Sequence, residues 1–152
     1  MKKTEIEYCL ESPIKYTPDG SGTQADGFKL ILKAPSGKNI AKRAILKQQL
    51  MIAFQWMQAQ RQQTTQDAKP QSDTKMTDDD IKALGEGLSL AIYVAPGVDI
   101  ERILGEFAEL LIQGACSVEG EKDLTRSLFE KIPLDDVDAM LGQYLANFIM
   151  PF

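Results

Sequence analysis

The stretch from Phe28 to Met57 constrains the chain more than any other. It reads as an alternating strand, Phe28 to Lys33, then the break Ala34-Pro35-Ser36-Gly37. One long helical pattern follows, carrying Ile40, Ala44, Ile45, Leu46, Leu50, Met51, Ala53, Phe54, Trp56 and Met57. Pro35 disfavours helical backbone before it, Ser36 or Asn39 can cap the first free amides, and neither Gly nor Pro interrupts the pattern before Gln63. The apolar residues cover more than one stripe: Ile45, Ile52 and Trp56 fall on a different side from Leu46, Leu50 and Met57. Two readings stay open here. Both faces belong to the core, or one is covered by another protein.

Upstream, Thr4 to Leu10 has the period of a half-buried strand, with Ile6, Tyr8 and Leu10 on one face and Glu5, Glu7 and Cys9 on the other. Ser12-Pro13 is expected to end it. The cluster Thr17-Pro18-Asp19-Gly20-Ser21-Gly22 predicts a chain reversal, because proline presets φ and glycine accepts the positive φ that closes a turn. In the following strand Phe28, Leu30 and Leu32 share one face, opposite Lys29, Ile31 and Lys33. An antiparallel pairing sets those lysines against Glu5 and Glu7, each pair contributing about 0.2–1 kcal/mol. A two-stranded hairpin is marginal in water, so its apolar face needs a cover, and the long helix is the nearest candidate.

From Gln58 to Met76 the chain turns to Gln, Thr, Ser, Asp and Lys around Pro70, a composition too poor in apolar side chains to offset the entropy of ordering. The expected organisation is a hairpin plus long helix over 1–63, a flexible linker over 64–76 and an acidic helical part over 77–152, forming one domain overall. Thr77 predicts a helix start whose first turn holds Asp78, Asp79 and Asp80, with Ile81, Leu84, Leu88, Ala91 and Ile92 inside. Gly85 and Gly87 either allow close packing or weaken this helix, and Pro96-Gly97 stops it. Asp99 opens the next helix, with Ile100, Ile103, Leu104, Phe107, Leu110 and Leu111 inward. Gly114 to Gly120 breaks the pattern, and Leu124, Leu128 and Phe129 mark a short helix. After Pro133, Asp135 is the expected cap of a last helix with the wide stripe Val137, Met140, Leu141, Tyr144, Leu145, Phe148 and Ile149. The end, Met150-Pro151-Phe152, either docks on the core or offers a partner an apolar contact. The fold class is α+β and mainly helical, an N-terminal β-hairpin followed by a long helix and a bundle of about four further helices.

Composition narrows the function classes. Residues 1–63 hold 10 Lys and Arg against 5 Asp and Glu, net +5, and residues 64–152 hold 7 against 17, net −10. Such a split favours contact between the halves, within one chain or between copies, with Lys38, Lys42, Arg43, Asp135 and Asp136 as candidate subunit charge contacts. The basic cluster lacks interleaved aromatics and a groove-reading motif, so nucleic acid is not the expected partner. With no histidine in 152 residues, a Ser-His or Cys-His nucleophile pair is impossible. The three aspartates after Thr77 lack calcium-loop spacing and read as capping, and no glycine stretch has phosphate-loop order. Cys9 and Cys116 sit in unrelated contexts and are expected to be reduced, partly buried thiols. No enzyme activity, metal or cofactor is expected. No run reaches the roughly 18 apolar residues of a membrane span, and charges at Glu5 and Glu7 interrupt any signal-peptide core, so a cytoplasmic protein is expected.

A short N-terminal strand ending in Pro13-Ile14, a turn, the segment Phe28-Lys29-Leu30-Ile31-Leu32-Lys33-Ala34-Pro35-Ser36-Gly37 leading into a helix, and an acidic helical remainder follow one another in this chain. Near its end stands Ile132-Pro133-Leu134-Asp135-Asp136-Val137, followed by Met140, Leu141, Leu145 and Phe148. This layout resembles the tail assembly chaperones of tailed bacteriophages. The resemblance implies a non-enzymatic protein of the host cytoplasm that self-associates and coats the elongated, helical tape measure protein until tail-tube subunits replace it. On that reading Phe54, Trp56, Met57, Tyr144, Phe148 and Phe152 are the candidate client or subunit contacts. The alternative is a head-tail joining or tail-completion subunit retained in the virion.

Overall fold

A computed structural model describes residues 4–64 and 77–149 of the chain. The N-terminal alternation forms strand β1 (Glu5–Tyr16), and β2 (Ala25–Lys33) returns antiparallel after a reversal in which the Ser21 N–H donates to the Pro18 carbonyl at 3.1 Å. Glu5 lies opposite Lys33, as the charges favour, but Glu7 faces Ile31 and Lys29 faces Cys9, so only one of the expected charge pairs is in register.

Two further details of this hairpin differ from expectation. Ser12-Pro13 does not end the strand. Instead Cys9 pairs with Lys29 and Ile14 with Gly27, so residues 10–13 bulge opposite the single residue Phe28. A bulge tolerates a proline, which has no N–H to give to a ladder. The bulge also breaks the alternation of β2. Phe28, expected inside with Leu30 and Leu32, is 48% exposed, and Gly27 takes the inward place against Val118 and Tyr16.

The break expected between Gly114 and Gly120 contains a second hairpin. Strands β3 (Cys116–Val118) and β4 (Lys122–Asp123) extend the sheet in the order β1-β2-β3-β4, antiparallel throughout. Its turn is closed by the Glu121 N–H donating to the Val118 carbonyl at 2.9 Å, with φ of 56° at Glu119 and 70° at Gly120. Positive φ at both central residues matches the twist of the flanking strands. The Glu119 carboxylate in turn accepts from the N–H groups of Phe28 (2.7 Å) and Lys29 (2.9 Å), which ties this turn to the bulge in the first hairpin.

A 3₁₀ turn, Gly37–Asn39, leads into α1 (Ile40–Thr64). Neither expected cap works through its side chain: Ser36 makes no capping bond, and Asn39 is buried with its Oδ1 unpartnered among the described residues. Helix α2 (Asp78–Val94) begins as expected. Thr77 Oγ1 accepts from the Asp80 N–H and the Asp80 carboxylate accepts from the Thr77 N–H, which holds that carboxyl below its usual range. Helix α3 (Ile100–Leu110) opens at Asp99, whose side chain accepts from the Arg102 N–H, and continues into a π-helical turn, Leu111–Ala115. The single turn α4 (Arg126–Phe129) and helix α5 (Leu134–Tyr144) complete the fold, α5 ending in a second π-helical turn, Leu145–Ile149. Asp135 sits inside the first turn of α5, and Pro133 holds the cap position assigned to it from sequence. The expected linker, apart from Thr64, lies outside the described residues.

The fold is α+β and mainly helical, and one core joins the basic and acidic parts. Leu30 and Leu32 of β2, Leu46 and Leu50 of α1, Leu88 and Ile92 of α2, Phe107 of α3 and Met140, Tyr144 and Leu145 near the C-terminus belong to one cluster of buried residues. The last helix joins it from one side: α5 packs on β1 and α2, and its π turn packs on α1 and α2. Where α5 meets α2 the two backbones nearly touch. A Cβ placed on Gly142 would fall 2.1 Å from the Gly85 carbonyl oxygen, and Gln143 Nε2 donates to the Lys82 carbonyl at 3.0 Å across the same contact. Gly85 therefore serves close packing, one of the two roles that the sequence left open.

Cys9 is exposed on β1, which corrects its expected partial burial, whereas Cys116 on β3 is 1% exposed. Burial pushes the Cys116 thiol up to about 12. At a pH of about 8 a thiol-exchange reagent should therefore titrate one cysteine at once and the second only after denaturant is added. Prompt reaction of both in the native protein would contradict the position of β3 inside the sheet.

Candidate functional site

The aromatic residues expected at a partner surface divide by element. Tyr144 and Phe148 are core residues in this structure. The Tyr144 ring packs against Phe107 (centroids 5.5 Å apart, 60°) and Phe148 (4.8 Å, 69°), and its hydroxyl donates to the Lys33 carbonyl at 2.8 Å. Tyr144 closes α5, which packs on β1 and α2, and Phe148 lies in the π turn, which packs on α1 and α2. Phe54, Trp56 and Met57 are half-buried and pack against the same core, Met57 reaching Gly87 of α2, while Ile52 on the other side of α1 lies beside Gly97. Both faces of α1 are thus met from within the chain. Phe152 lies outside the described residues.

The charged candidates are not brought together as one contact. Lys38 is exposed and Lys42 and Arg43 are half-buried at the start of α1; none of the three forms an ion pair among the described residues. Asp135 is exposed, but Asp136 is 3% exposed and accepts a 2.8 Å hydrogen bond from the Tyr8 hydroxyl. That bond pins β1 to α5. Burial, and then the Asp136 carboxylate, push the Tyr8 hydroxyl well above the usual phenol range.

Two surfaces that the sequence reading did not single out remain open. The first is apolar. Leu90 (67% exposed) and Val94 (52%) follow one another at helical spacing on the outer side of α2. Tyr93 beside them donates to Asp138 of α5, and burial followed by that bond pushes its hydroxyl up to about 12. The signal was present: Leu90, Tyr93 and Val94 fall outside the inner stripe Ile81, Leu84, Leu88, Ala91 and Ile92, so α2 is apolar on two sides.

The second surface is a groove of about 760 Å³ between β1 and the helices. One wall is the segment Glu5 to Cys9. The other is α2, through Asp78, Lys82, Glu86 and Ser89. Ile81, Ala139, Gln143 and Asn147 complete the lining. Because β1 ends the strand order, this wall is a sheet edge that no described strand pairs with. The Thr4 carbonyl accepts from the Ala34 N–H at 3.0 Å, and antiparallel pairing alternates, so Thr4, Ile6 and Tyr8 turn their N–H and C=O groups toward β2. Those of Glu5, Glu7 and Cys9 point the other way, into the groove. Among the described residues the lining carries the carboxylates Glu5, Glu7 and Glu86, with Asp78, which is engaged in an interaction of its own, and the cation Lys82.

Among the described residues, no group of three His, Cys, Asp or Glu is placed to hold a metal ion, and no helix is long and apolar enough to cross a membrane. Comparison with protein-family models, with curated proteins and with solved structures finds no match.

Proposed function

We propose that this chain is a non-enzymatic tail assembly chaperone of a tailed bacteriophage, acting in the host cytoplasm, where several copies coat the tape measure protein and keep it soluble until the tail tube assembles. The family part of this reading rests on the order of parts in the sequence and on the segments Phe28 to Gly37 and Ile132 to Val137. What supports a binding role is the open β1 edge with its adjoining groove. Exposed backbone hydrogen-bonding groups beside a recess suit a protein that holds another polypeptide, and the Leu90 and Val94 face adds apolar surface for the same task.

The test is co-expression with the largest helix-rich protein encoded nearby, followed by size exclusion with light scattering. The expected result is a soluble complex with several copies of this chain per client, and purified virions that lack it. A client that stays insoluble, together with this chain present in finished particles, would overturn the chaperone reading in favour of a head-tail joining or tail-completion subunit.

A further inference from the structure

We propose that the β1 edge is a strand-acceptor site that takes an extended, positively charged segment of the client as a fifth strand of the sheet. The inference rests on the client-binding reading above for its partner and goes beyond it in saying how that partner is held. A helical client must therefore present a non-helical stretch.

The sheet has two ends of unequal capacity. At one end β4 is only two residues long, Lys122 and Asp123. At the other, Glu5 to Cys9 is regularly paired with β2 on its inner side and, among the described residues, meets no strand on its outer side up to the bulge. Three residues there, Glu5, Glu7 and Cys9, offer N–H and C=O groups at the alternate spacing that an added strand requires. The groove leaves room beside them, whereas a helix packed against the edge would close it.

Charge selects among occupants. An added strand sets its side chains beside Glu5 and Glu7, and cross-strand pairs are favourable for opposite charges and unfavourable for like ones. Glu86 on the α2 wall adds to the preference for cations, and among the described residues of the lining Lys82 opposes it. A nucleic acid meets repulsion along the whole groove. A second copy pairing through its own β1 would bring another Glu5 and Glu7, with Glu11 close behind, against the first set. Neither is the favoured occupant. A polypeptide segment alternating lysine or arginine with small apolar residues is, because its cations meet the glutamates while its apolar residues face Ile81 and Ala139.

The probe is an acetylated, fluorescein-labelled peptide of alternating lysine and valine, read by anisotropy with the full chain, against a glutamate-valine counterpart. Saturable one-to-one binding of the basic peptide, weakened by salt and about tenfold tighter than that of the acidic one, is expected. Hydrogen exchange on the unmodified protein gives a direct reading: the basic peptide should slow the amides of Glu5, Glu7 and Cys9 and leave those of Ile6 and Tyr8, already bonded to β2, unchanged. Glu7→Pro removes the central outward N–H without touching the β2 ladder and should weaken binding about tenfold. Should that variant fold poorly, the pair Glu5→Lys and Glu7→Lys decides by reversing the preference toward the acidic peptide. Binding that ignores these variants, or exchange protection elsewhere, overturns strand addition. Absence of peptide binding alongside a client kept soluble overturns this inference and leaves the chaperone reading standing. Peptide binding without client rescue does the reverse.

Discussion

Replacing Gly142 with alanine should destabilise the protein by about 3 kcal/mol, the upper end of the usual range for overpacking. The obstacle is the carbonyl oxygen of Gly85, 2.1 Å from the new Cβ, with the Ser89 Cβ at 3.0 Å on the same side. A flexible side chain could swing away from such a clash, but the backbone of a helix cannot move without disturbing its own hydrogen bonds. Either α2 and α5 separate, opening a gap between buried residues on both, or the contact rotates and strains the Gln143 bond to Lys82. Gly105 supplies the contrast. It lies exposed on α3, a Cβ there meets nothing within 4 Å, and alanine should stabilise the helix by roughly 0.5–1 kcal/mol. The two substitutions should therefore shift the urea midpoint in opposite directions. Equal and small shifts would show that the two helices do not cross at Gly142.

Tyr144→Ala should cost about 3–5 kcal/mol, the range for removing a buried aromatic ring, against a total stability of about 5–15 kcal/mol for an ordinary domain. The substitution removes the ring that bridges Phe107 and Phe148 and leaves the Lys33 carbonyl without its donor. Tyr144→Phe isolates the hydroxyl and should cost only about 0.5–1.5 kcal/mol. It should also change the alkaline limb. Burial raises the Tyr144 hydroxyl above its ordinary value, so the neutral phenol is favoured in the folded chain. That contribution is full below a pH of about 10, where an unfolded tyrosine ionises, and is lost as pH rises from there toward the raised native value. Denaturant midpoints measured between about pH 9 and 11 should fall less steeply for Tyr144→Phe than for the parent. Parallel curves would place the hydroxyl in water. Loss of client binding in a Tyr144 variant should accordingly be read first as loss of fold.

Local chemistry made part of this structure legible in the sequence. The first hairpin announces itself through period-two alternation and a dense group of turn formers, and α2 and α3 through Thr77 and Asp99. The second hairpin was hidden because β3 and β4 are too short to show alternation, and Glu119-Gly120 is not the Asn-Gly or Asp-Gly pair that usually signals such a turn. Phe28 was misplaced because a bulge depends on how two strands meet, and the periodicity of one strand cannot display it. Tyr144 and Phe148 were ambiguous for another reason. An apolar arc as wide as that of α5 does not say how many neighbours will enclose it. The groove was least legible of all, since whether β1 is an edge depends on β3 joining the far side of β2 from a distant part of the chain.

The unequal ends of the sheet also set a limit on counting. A growing polymer needs two reactive ends on every unit, and among the described residues this sheet offers one long edge, because β4 has two residues where β1 has a regularly paired row. Under the proposed strand addition, each chain would act through its backbone as a monofunctional unit, a terminator of growth. An extended client strand has two edges of its own, so at most two copies can flank it, each closing the composite sheet on its outer side with β4. Such a sheet stays finite whatever the concentration. If β1 takes a client strand as proposed, a coat along a long client would be a series of separate clasps whose number follows the number of suitable segments, and any cooperativity between clasps would have to come from helical surfaces such as the Leu90 and Val94 face of α2.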